Sequence, residues 1–495
     1  MQSQDIHPKE PQEEHIVENK ELSIVEALIP VVALILMLFF NVKFAFGDSG
    51  LAGSNQFILL LGAAVAAVVG HFNKVKFSQM IEEVAENVQS TTGALLILLM
   101  VGALAGTWLV SGIIPTMIYY GMEILNPTIF LVSSVVICSI ISIATGSSWT
   151  TSATVGIALI GISSAIGIPV GMTAGAVVSG AYFGDKLSPM SDTTNLAPAM
   201  AGTDLFTHIR YMTITTVPTY IVTLIVFIIL GFTIEPQGTA DTSVMLASIE
   251  HSFNVSPWLF VVPVVVILLI VRKTPPLIAL FIGTLLGALA ALIFQPNVVT
   301  FLGGGEQLDF ITGYKGIMNA ITVESTIPTE NEAIADLFSS GGMYGMLGTI
   351  WLIVCAMVFG GVMDAIGALA TISKALLKLF HTVFGLFAST VLSCLALNVT
   401  ASDQYLAIVV PGKMYAKAFR DKGLAPENLS RTLEDSGTVT SVLVPWNTCG
   451  AYQASVLGVD VMSYAGYAIF NWLSPFTTLT FAALRIKIRQ LKDSK

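Results

Sequence analysis

Apolar runs of about 20 residues recur along the whole chain, and they constrain its fold more than any other feature. A run of this length forms a helix that matches the hydrocarbon thickness of a bilayer. The twelve clearest runs are 24–46, 56–72, 91–112, 128–146, 150–168, 212–234, 257–272, 276–296, 342–364, 382–398, 440–458 and 462–484. Shorter or interrupted apolar pieces lie at 171–183 and 404–419. The pattern predicts an all-α polytopic membrane protein with about 10–12 transmembrane helices.

Composition excludes the soluble classes. Only 11% of the 495 residues are charged, whereas soluble domains have about 25%, and the mean hydropathy is +0.80. The chain has no basic patch of the kind that would indicate a nucleic-acid partner. The four cysteines lie in apolar runs without CxxC spacing, which argues against a disulfide framework or a zinc site. The sequence PGKM at 411–414 lacks the rest of a phosphate loop, and HExxH and GxSxG are absent, so we expect neither an enzyme nor a cofactor.

Basic residues in short loops predict the orientation in the membrane. They follow the runs that we place at the cytoplasmic side: Lys74, Lys76, Arg272, Lys273, Lys374, Lys378, Arg485, Lys487 and Arg489. By contrast, 234–256 has no Lys or Arg, and 297–341 has only Lys315. The sequence therefore predicts that both termini are cytoplasmic. It divides into a disordered tail (1–23), a first transmembrane repeat (24–234), an external linker (235–256), a second repeat (257–484) and a basic tail (485–495).

The order of apolar and polar segments is similar in the two halves. Each half has two spans, a polar segment, a third span, a connector, a fourth span and then a broken region. Because the first half starts inside and the second starts outside, the halves are predicted to be inverted-topology repeats. In transporters with such repeats, helices interrupted at matching positions mark the substrate site.

The first broken region contains charges where a membrane segment should have none. Between 128 and 200 the charged residues are Asp185, Lys186 and Asp192, within a stretch that also contains Gly184 and Pro189. Charges at membrane depth are costly and mostly functional. Upstream, TGSSWTTSATVG at 145–156 supplies a run of hydroxyl side chains. These hydroxyls are either ligands or small polar residues that pack helices.

The second half has similar chemistry in different residues. LNVTASDQY at 397–405 contains Thr400 and Asp403, and LEDSGTVTSVLVPWNTCGAY at 433–452 contains Glu434, Asp435 and Asn447. Asp185 and Asp435 each precede a proline and an asparagine at a similar distance, which predicts that they are counterparts. The acids could instead cap helices or form structural ion pairs.

Carboxylate, hydroxyl and amide oxygens are the ligands of a hard cation. A partly desolvated carboxylate can hold either a proton or a cation. Helix N-termini at the breaks could alternatively hold an organic carboxylate. The residues alone are compatible with both uses.

These segments resemble a known family. GSSWTTSATVGIALIGI (146–162), SGAYFGDKLSPMSDTTNLAP (179–198) and the 433–452 segment resemble the NhaC-type Na⁺/H⁺ antiporters of the ion transporter superfamily, and the resemblance extends from about 24 to 484. It implies Na⁺/H⁺ exchange across a bacterial cytoplasmic membrane and inverted repeats with re-entrant hairpins. Similarity to related superfamilies implies an elevator-like movement and a homodimer. The family also includes malate/lactate exchangers and amino-acid carriers. Asp185, Asp192 and Asn195 fall on its first charged motif, and Glu434, Asp435 and Asn447 on the second.

Two hypotheses follow. The first is a Na⁺/H⁺ antiporter with Asp185, Asp192 and Asp435 as ion ligands. Its wider candidate set comprises Ser148, Thr150, Thr151, Thr193, Asn195, Thr400, Asp403, Glu434 and Asn447. The second hypothesis is exchange of an organic acid or amino acid coupled to Na⁺ or H⁺, with Lys186 or Arg431 as the partner of the substrate carboxylate.

Overall fold

The computed structural model describes residues 22–46, 53–124, 126–233, 242–329, 338–379 and 382–491. Most of the predicted N-terminal tail, part of the external linker and the last four residues of the basic tail lie outside these ranges.

The described part of the first half is helical throughout. Its helices are α1 (Ile24–Phe40, continued by a π turn at Asn41–Phe46), α2 (Ser54–Phe72), α3 (Phe77–Ser90), α4 (Thr92–Val110), α5 (Ile113–Ile124), α6 (Pro127–Thr145), α7 (Ser148–Thr151), α8 (Ile157–Ala165), α9 (Val170–Leu187), α10 (Asp192–Ala201) and α11 (Leu205–Thr233). A π segment, Ser152–Gly156, joins α7 to α8.

The described part of the second half is also helical, apart from one short pair of β-strands. Its helices are α12 (Thr242–Ser252), α13 (Val261–Val271, preceded by a 3₁₀ turn at Pro257–Phe260), α14 (Pro276–Phe294), α15 (Pro296–Gly303), α16 (Phe310–Thr322), α17 (Gly342–Gly345), α18 (Leu347–Ala365), α19 (Ala368–Leu379), α20 (Val383–Thr400), α21 (Gln404–Asp421), α22 (Pro426–Leu433), α23 (Thr448–Leu457), α24 (Val461–Ala465) and α25 (Ile469–Ala483). The strands β1 (Ser325–Thr326) and β2 (Ser339–Ser340) pair in antiparallel register.

Many of these helices are long and apolar enough to cross a bilayer. Within the described ranges there are eight, or nine if the pair 244–252 and 257–271, bent by 80°, is one span. The eight are Ile24–Phe46, Ser54–Phe72, Thr92–Val110, Pro127–Thr145, Leu205–Thr233, Pro276–Phe294, Gly342–Ala365 and Val383–Thr400. The predicted all-α polytopic membrane class is confirmed.

The remaining predicted spans differ from simple transmembrane helices. The run at 440–458 is interrupted, because a 3₁₀ turn at Ser441–Leu443 ends before Pro445 and α23 begins only at Thr448. Proline lacks the N–H that would continue the helix. The run at 150–168 contains the π segment, and the run at 462–484 is divided between α24 and α25.

Six successive helical elements of the first half recur in the same order in the second. The first series is α4, α5, α6, α7–α8, α9 and α10. It corresponds to α18, α19, α20, α21, α22 (continued by a π segment at Glu434–Thr438) and α23, and the paired elements begin 255 or 256 residues apart. The series cover 92–201 and 347–457, within the two predicted repeats. The order of elements is therefore repeated, whereas the opposite orientation of the halves stays a prediction.

Corresponding helices of the two series also begin and end with similar capping residues. The side chain of Ser147 accepts a hydrogen bond from the Thr150 N–H, and Asp403 accepts one from the Leu406 N–H at the corresponding place. Ser191 caps α10 and Asn447 caps α23. Both helices then end on a glycine in the left-handed region, Gly202 with φ 83° and Gly458 with φ 64°. Glycine suits this end because it has no Cβ to clash.

The broken segments of the two series pack against each other. α10 of the first series packs against α21 of the second, and α23 packs in return against α8 and the preceding π segment. α6 and α9 are especially close: a Cβ at Gly180 would lie 2.3 Å from the Val135 carbonyl oxygen, and one at Gly184 would lie 2.5 Å from that of Ser139. Small residues spaced four apart allow such close approach between membrane helices.

Candidate functional site

A cavity of about 530 Å³, called the central cavity here, lies where the two broken regions meet. Five pairs of corresponding residues line it, one member from each series. They are Ser147 and Asp403, Ser148 and Gln404, Trp149 and Tyr405, Asp192 and Thr448, and Thr193 and Cys449. Of the predicted site residues, the cavity brings together Ser148, Asp185, Asp192, Thr193 and Asp403.

The first break is shaped by a tight turn. α6 ends at Gly146, whose φ of 69° is left-handed, and a Cβ there would lie 2.6 Å from the Cβ of Met190. Only glycine therefore allows the turn at 146–147 to touch the second turn at 188–191. Ser147 then caps α7. The hydroxyl-rich sequence is thus the start of a new helix that faces the cavity.

The carboxylate of Asp185 is hydrogen-bonded to the first residue of α7. It lies in the last turn of α9, and its Oδ2 accepts hydrogen bonds from the backbone N–H of Ser148 at 3.1 Å and from the Ser148 hydroxyl at 2.7 Å. Backbone N–H groups at a helix start have no partner within the helix and favour negative charge. The side chain lines the cavity and is 8% exposed. The helix start therefore orients this carboxylate at the cavity wall.

Asp192 and Thr193 begin α10 on the same wall. Asp192 is exposed at the cavity, whereas Thr193 is buried and its hydroxyl lies 3.2 Å from that of Ser191. Asn195 has a different role. Its amide donates to the carbonyl oxygens of Pro189 and Ser191 at 3.0 and 2.7 Å, which holds the turn together, and it does not line the cavity.

The second series presents a more neutral surface to the cavity. Asp403 caps α21 and lines the cavity with 4% exposure. Gln404 accepts a hydrogen bond from the Ser441 hydroxyl at 2.9 Å. By the 256-residue spacing, Gln404 corresponds to Ser148 and Ser441 to Asp185. The counterpart of Asp185 is thus Ser441 rather than Asp435, and a charged hydrogen bond in one series is matched by a neutral one in the other.

Several predicted site residues form hydrogen bonds with other parts of the fold and do not line the cavity. The hydroxyls of Thr150, Thr151 and Thr400 bond to groups in their own helical turns. Asn447 caps α23 through its side-chain oxygen and donates to the Asn398 carbonyl at 3.0 Å. These contacts stabilise the two breaks.

Asp435 and Glu434 lie on a π segment that follows α22, away from the central cavity. Asp435 forms an ion pair with Lys186, and both side chains are fully buried. Its carboxylate also accepts hydrogen bonds from three hydroxyls, those of Thr215, Ser474 and Thr478. Glu434 is fully buried, and its two oxygens have no hydrogen-bond partner in the described structure. Asp435 therefore joins the two halves and is not grouped with Asp185 and Asp192.

An aromatic contact also joins the halves. The rings of Trp149 and Tyr452 are stacked with centroids 3.9 Å apart, and the Tyr452 hydroxyl donates to the Trp149 carbonyl at 3.0 Å. Sequence reasoning did not select Trp149, Gln404 or Tyr405 as site residues. Aligning the two series by their helix starts would have indicated Gln404 as the partner of Ser148.

The side chains that line the central cavity offer mainly oxygen ligands. Within the ranges the structure describes, no group of three or more His, Cys, Asp or Glu side chains is arranged to hold a metal ion. The cavity instead combines carboxylates with the hydroxyls of Ser148, Thr193 and Thr448. Oxygen ligands of this kind suit hard cations rather than transition metals.

Comparison with known proteins decides the family. A family model described as "Na+/H+ antiporter family" matches residues 180–486. The chain belongs to this family. It is similar to "Na(+)/H(+) antiporter NhaC" of Alkalihalophilus pseudofirmus, with 37% identity over 87% of this chain and 90% of that one. The Bacillus subtilis protein of the same name is 34% identical over 80% of this chain and 85% of its own length.

The antiporter family also contains a relative with an organic substrate in its name. The "Malate-2H(+)/Na(+)-lactate antiporter" of Bacillus subtilis is 34% identical over 88% of both chains. All of these relatives are named as antiporters rather than enzymes. The resemblance noted in the sequence is thereby confirmed, as is the prediction of a multi-pass membrane transporter.

Proposed function

We propose that this antiporter-family protein exchanges Na⁺ for H⁺ across the bacterial cytoplasmic membrane, with the central cavity as its ion site. The observation that carries the proposal is that three acids, Asp185, Asp192 and Asp403, line one cavity where the two helical series break. Membership of the Na⁺/H⁺ antiporter family supports the same activity.

Exchange requires that Na⁺ and H⁺ compete for the same groups. A carboxylate that holds a proton is a poor ligand for a cation, and a bound cation repels the proton. Asp185 and Asp192 are the carboxylates in this role, and the hydroxyls of Ser148 and Thr193 are neutral ligands beside them. Transport then takes place as the cavity opens to one side of the membrane and then to the other.

Asp435 contributes in another way. Because Lys186 already neutralises it, a transported cation would have to displace a buried lysine to bind there. We therefore assign Asp435 the role of joining α9 to the π segment after α22, and Glu434 and Asn447 belong to the same supporting structure. The transported ions need no cofactor.

Orientation and assembly are part of the proposal. The short basic loops support cytoplasmic termini, and Lys273, which follows α13, lines the central cavity. The cavity would then open to the cytoplasm in this structure. The proposed homodimer rests on the resemblance to related superfamilies alone, and chemical crosslinking in native membranes tests it.

A second candidate function is exchange of a small organic acid. A relative named for malate and lactate supports it, and a cavity of about 530 Å³ has room for such a molecule. Lys186 and Arg431 do not line the cavity, whereas Lys273 does. Lys273 is therefore the cation available to a substrate carboxylate.

One transport assay separates the candidates. Proteoliposomes loaded with a pH-sensitive dye are given Na⁺ alone, and parallel samples receive labelled malate, lactate or an amino acid with and without Na⁺. Na⁺ alone should produce proton movement in the wild type, and the response should be lost in Asp185→Asn/Asp192→Asn but kept in the exposed-site control Asp421→Asn. Na⁺-dependent uptake of an organic substrate, with no proton movement on Na⁺ alone, would favour the second candidate.

A further inference from the structure

A second cavity, of about 470 Å³, lies at the start of α11 beneath the C-terminal segment. Its lining comes from two parts of the chain. α11 contributes Thr207, Arg210, Tyr211 and Ile214, and the segment after α25 contributes Lys487, Ile488 and Arg489. We call it the tail cavity. It shares no lining residue with the central cavity.

The C-terminal segment is held in a fixed position. The Tyr211 hydroxyl donates to the Lys487 carbonyl at 2.6 Å. The Asn428 amide donates to the Arg489 carbonyl at 2.7 Å, and the Leu491 N–H donates to the Gly423 carbonyl at 2.9 Å. The basic residues of this segment are therefore ordered around the cavity, and a ligand would bind without the entropy cost of ordering a free tail.

Positive charge in the tail cavity is in excess. Three cations line it, and Glu427 pairs with one of them, Arg489, at 2.8 Å. Arg210 and Lys487 are exposed and form no ion pair with any residue in the described ranges. The nearby Asp204 caps the start of α11 by accepting from the Thr207 N–H and does not line the cavity.

A further buried cation lies behind the cavity wall. The guanidinium of Arg431 is fully buried and packs over the Tyr211 ring, 4.6 Å from its centroid. None of its three nitrogens has a hydrogen-bond partner among the residues the structure describes. Tyr211 itself lines the cavity. An anion in the cavity would thus lie near four cationic side chains. Glu427 neutralises the charge of one of them, Arg489.

The position of the cavity indicates where the anion comes from. α11 has 29 residues, about nine more than are needed to cross the hydrocarbon. Its apolar run begins only at 212, so we place its first turns in the headgroup layer. Apolar side chains accompany the charges: Ile214 and Ile488 line the cavity, while Phe206 and Leu484 are 69% and 66% exposed beside it in sequence. A phosphate group attached to acyl chains matches both properties.

We propose that the tail cavity binds the phosphate headgroup of an anionic phospholipid. Arg210 and Lys487 hold the phosphate oxygens, since arginine and lysine are the usual phosphate-binding side chains. The bound lipid connects the start of α11 to the C-terminal segment and, through Tyr211, stabilises the buried Arg431. This site is independent of ion exchange at the central cavity.

The test measures lipid binding to the purified full-length protein in neutral detergent. Phosphatidylglycerol, phosphatidylcholine and inorganic phosphate are each titrated while the melting temperature and the bound lipid, by native mass spectrometry, are recorded. Phosphatidylglycerol should bind and raise the melting temperature of the wild type. Its affinity should fall about 25-fold in Arg210→Gln/Lys487→Gln, since each cation near an anionic headgroup strengthens binding about fivefold.

Two further variants keep the result interpretable. Arg420→Gln/Lys417→Gln removes the same charge from exposed positions outside the tail cavity and should bind phosphatidylglycerol like the wild type. Lys487→Gln alone, an exposed single change, should weaken binding about fivefold even if the double variant does not fold. Equal stabilisation by phosphatidylcholine, unchanged affinity in the folded tail-cavity variants, or a full stabilising effect of inorganic phosphate alone would each overturn the assignment to an anionic lipid.

Discussion

Lys186 of α9 forms an ion pair with Asp435, which lies on the π segment after α22, and neither side chain is exposed. The pair connects the last turn of α9, just before the turn at 188–191, to the second half of the chain. π segments of this kind are frequent near functional sites. Ser474 also lies within hydrogen-bond distance of both partners.

The first prediction concerns this ion pair. Lys186→Met or Asp435→Asn alone should lower the free energy of unfolding by about 3–5 kcal/mol, because each leaves a buried charge without its counter-charge. The combined variant should recover much of that loss. Thermal unfolding in detergent of the wild type and the three variants measures the coupling. Losses that simply add in the double variant would show that the two groups are not energetically paired.

The second prediction concerns the close contact of α6 and α9. Gly184→Val should destabilise the protein by about 1–3 kcal/mol or more, since its Cβ would lie 2.5 Å from the Ser139 carbonyl oxygen. Gly348→Val is the matched control, because a Cβ at Gly348 of α18 meets no atom within 4 Å. Yield of folded protein by size-exclusion chromatography and melting temperature provide the comparison. Equal behaviour of the two variants would contradict the role of the contact.

The third prediction separates the two roles of Asp403, which caps α21 and lines the central cavity. Asparagine caps a helix as well as aspartate does, so Asp403→Asn should keep the melting temperature while changing the Na⁺ dependence of exchange. Asp403→Ala should also lose about 1 kcal/mol of stability. If Asp403→Asn exchanged Na⁺ like the wild type, Asp403 would be a cap only.

The fourth prediction uses the repeat as its own control. Ser148→Ala removes a hydroxyl that bonds to the Asp185 carboxylate at 2.7 Å, and we expect a several-fold change in the Na⁺ concentration for half-maximal exchange, because hydrogen bonds to charged groups are the stronger ones. Ser441→Ala removes the corresponding neutral bond to Gln404. It should lower stability slightly and leave the Na⁺ dependence unchanged. The opposite ranking would show that the second series carries the ion.

Much of the fold could be predicted because its physical cause is visible in the chain. Eight of the predicted spans correspond to helices long and apolar enough to cross a bilayer. The interruptions at Pro189 and Pro445 were also visible, since proline and polar residues break an apolar run. The sequence nevertheless predicts one span over 440–458, because apolar residues lie on both sides of Pro445, whereas the structure divides this run between a 3₁₀ turn and α23.

The site was less predictable because charge alone does not tell which acids share a cavity. Asp185 and Asp435 have similar sequence surroundings, yet the first faces the central cavity and the second pairs with Lys186. Which acid forms the ion pair with Lys186 depends on packing between distant segments, because Lys186 and Asp435 are 249 residues apart in the chain. Hydropathy order predicted the repeat, but only the helix starts reveal its register and thus the pairing of Ser148 with Gln404 and of Asp185 with Ser441.

Calorimetric titration of Na⁺ into the purified protein tests the central claim most directly, because competition at one carboxylate site requires that Na⁺ binding release protons. Titrations in buffers with different ionisation enthalpies give the number of protons released. Wild type and Asp421→Asn should release protons on binding Na⁺, and the release should decrease or disappear together with Na⁺ affinity in Asp185→Asn. Na⁺ binding without proton release, or the same release in Asp185→Asn as in the wild type, would contradict the account.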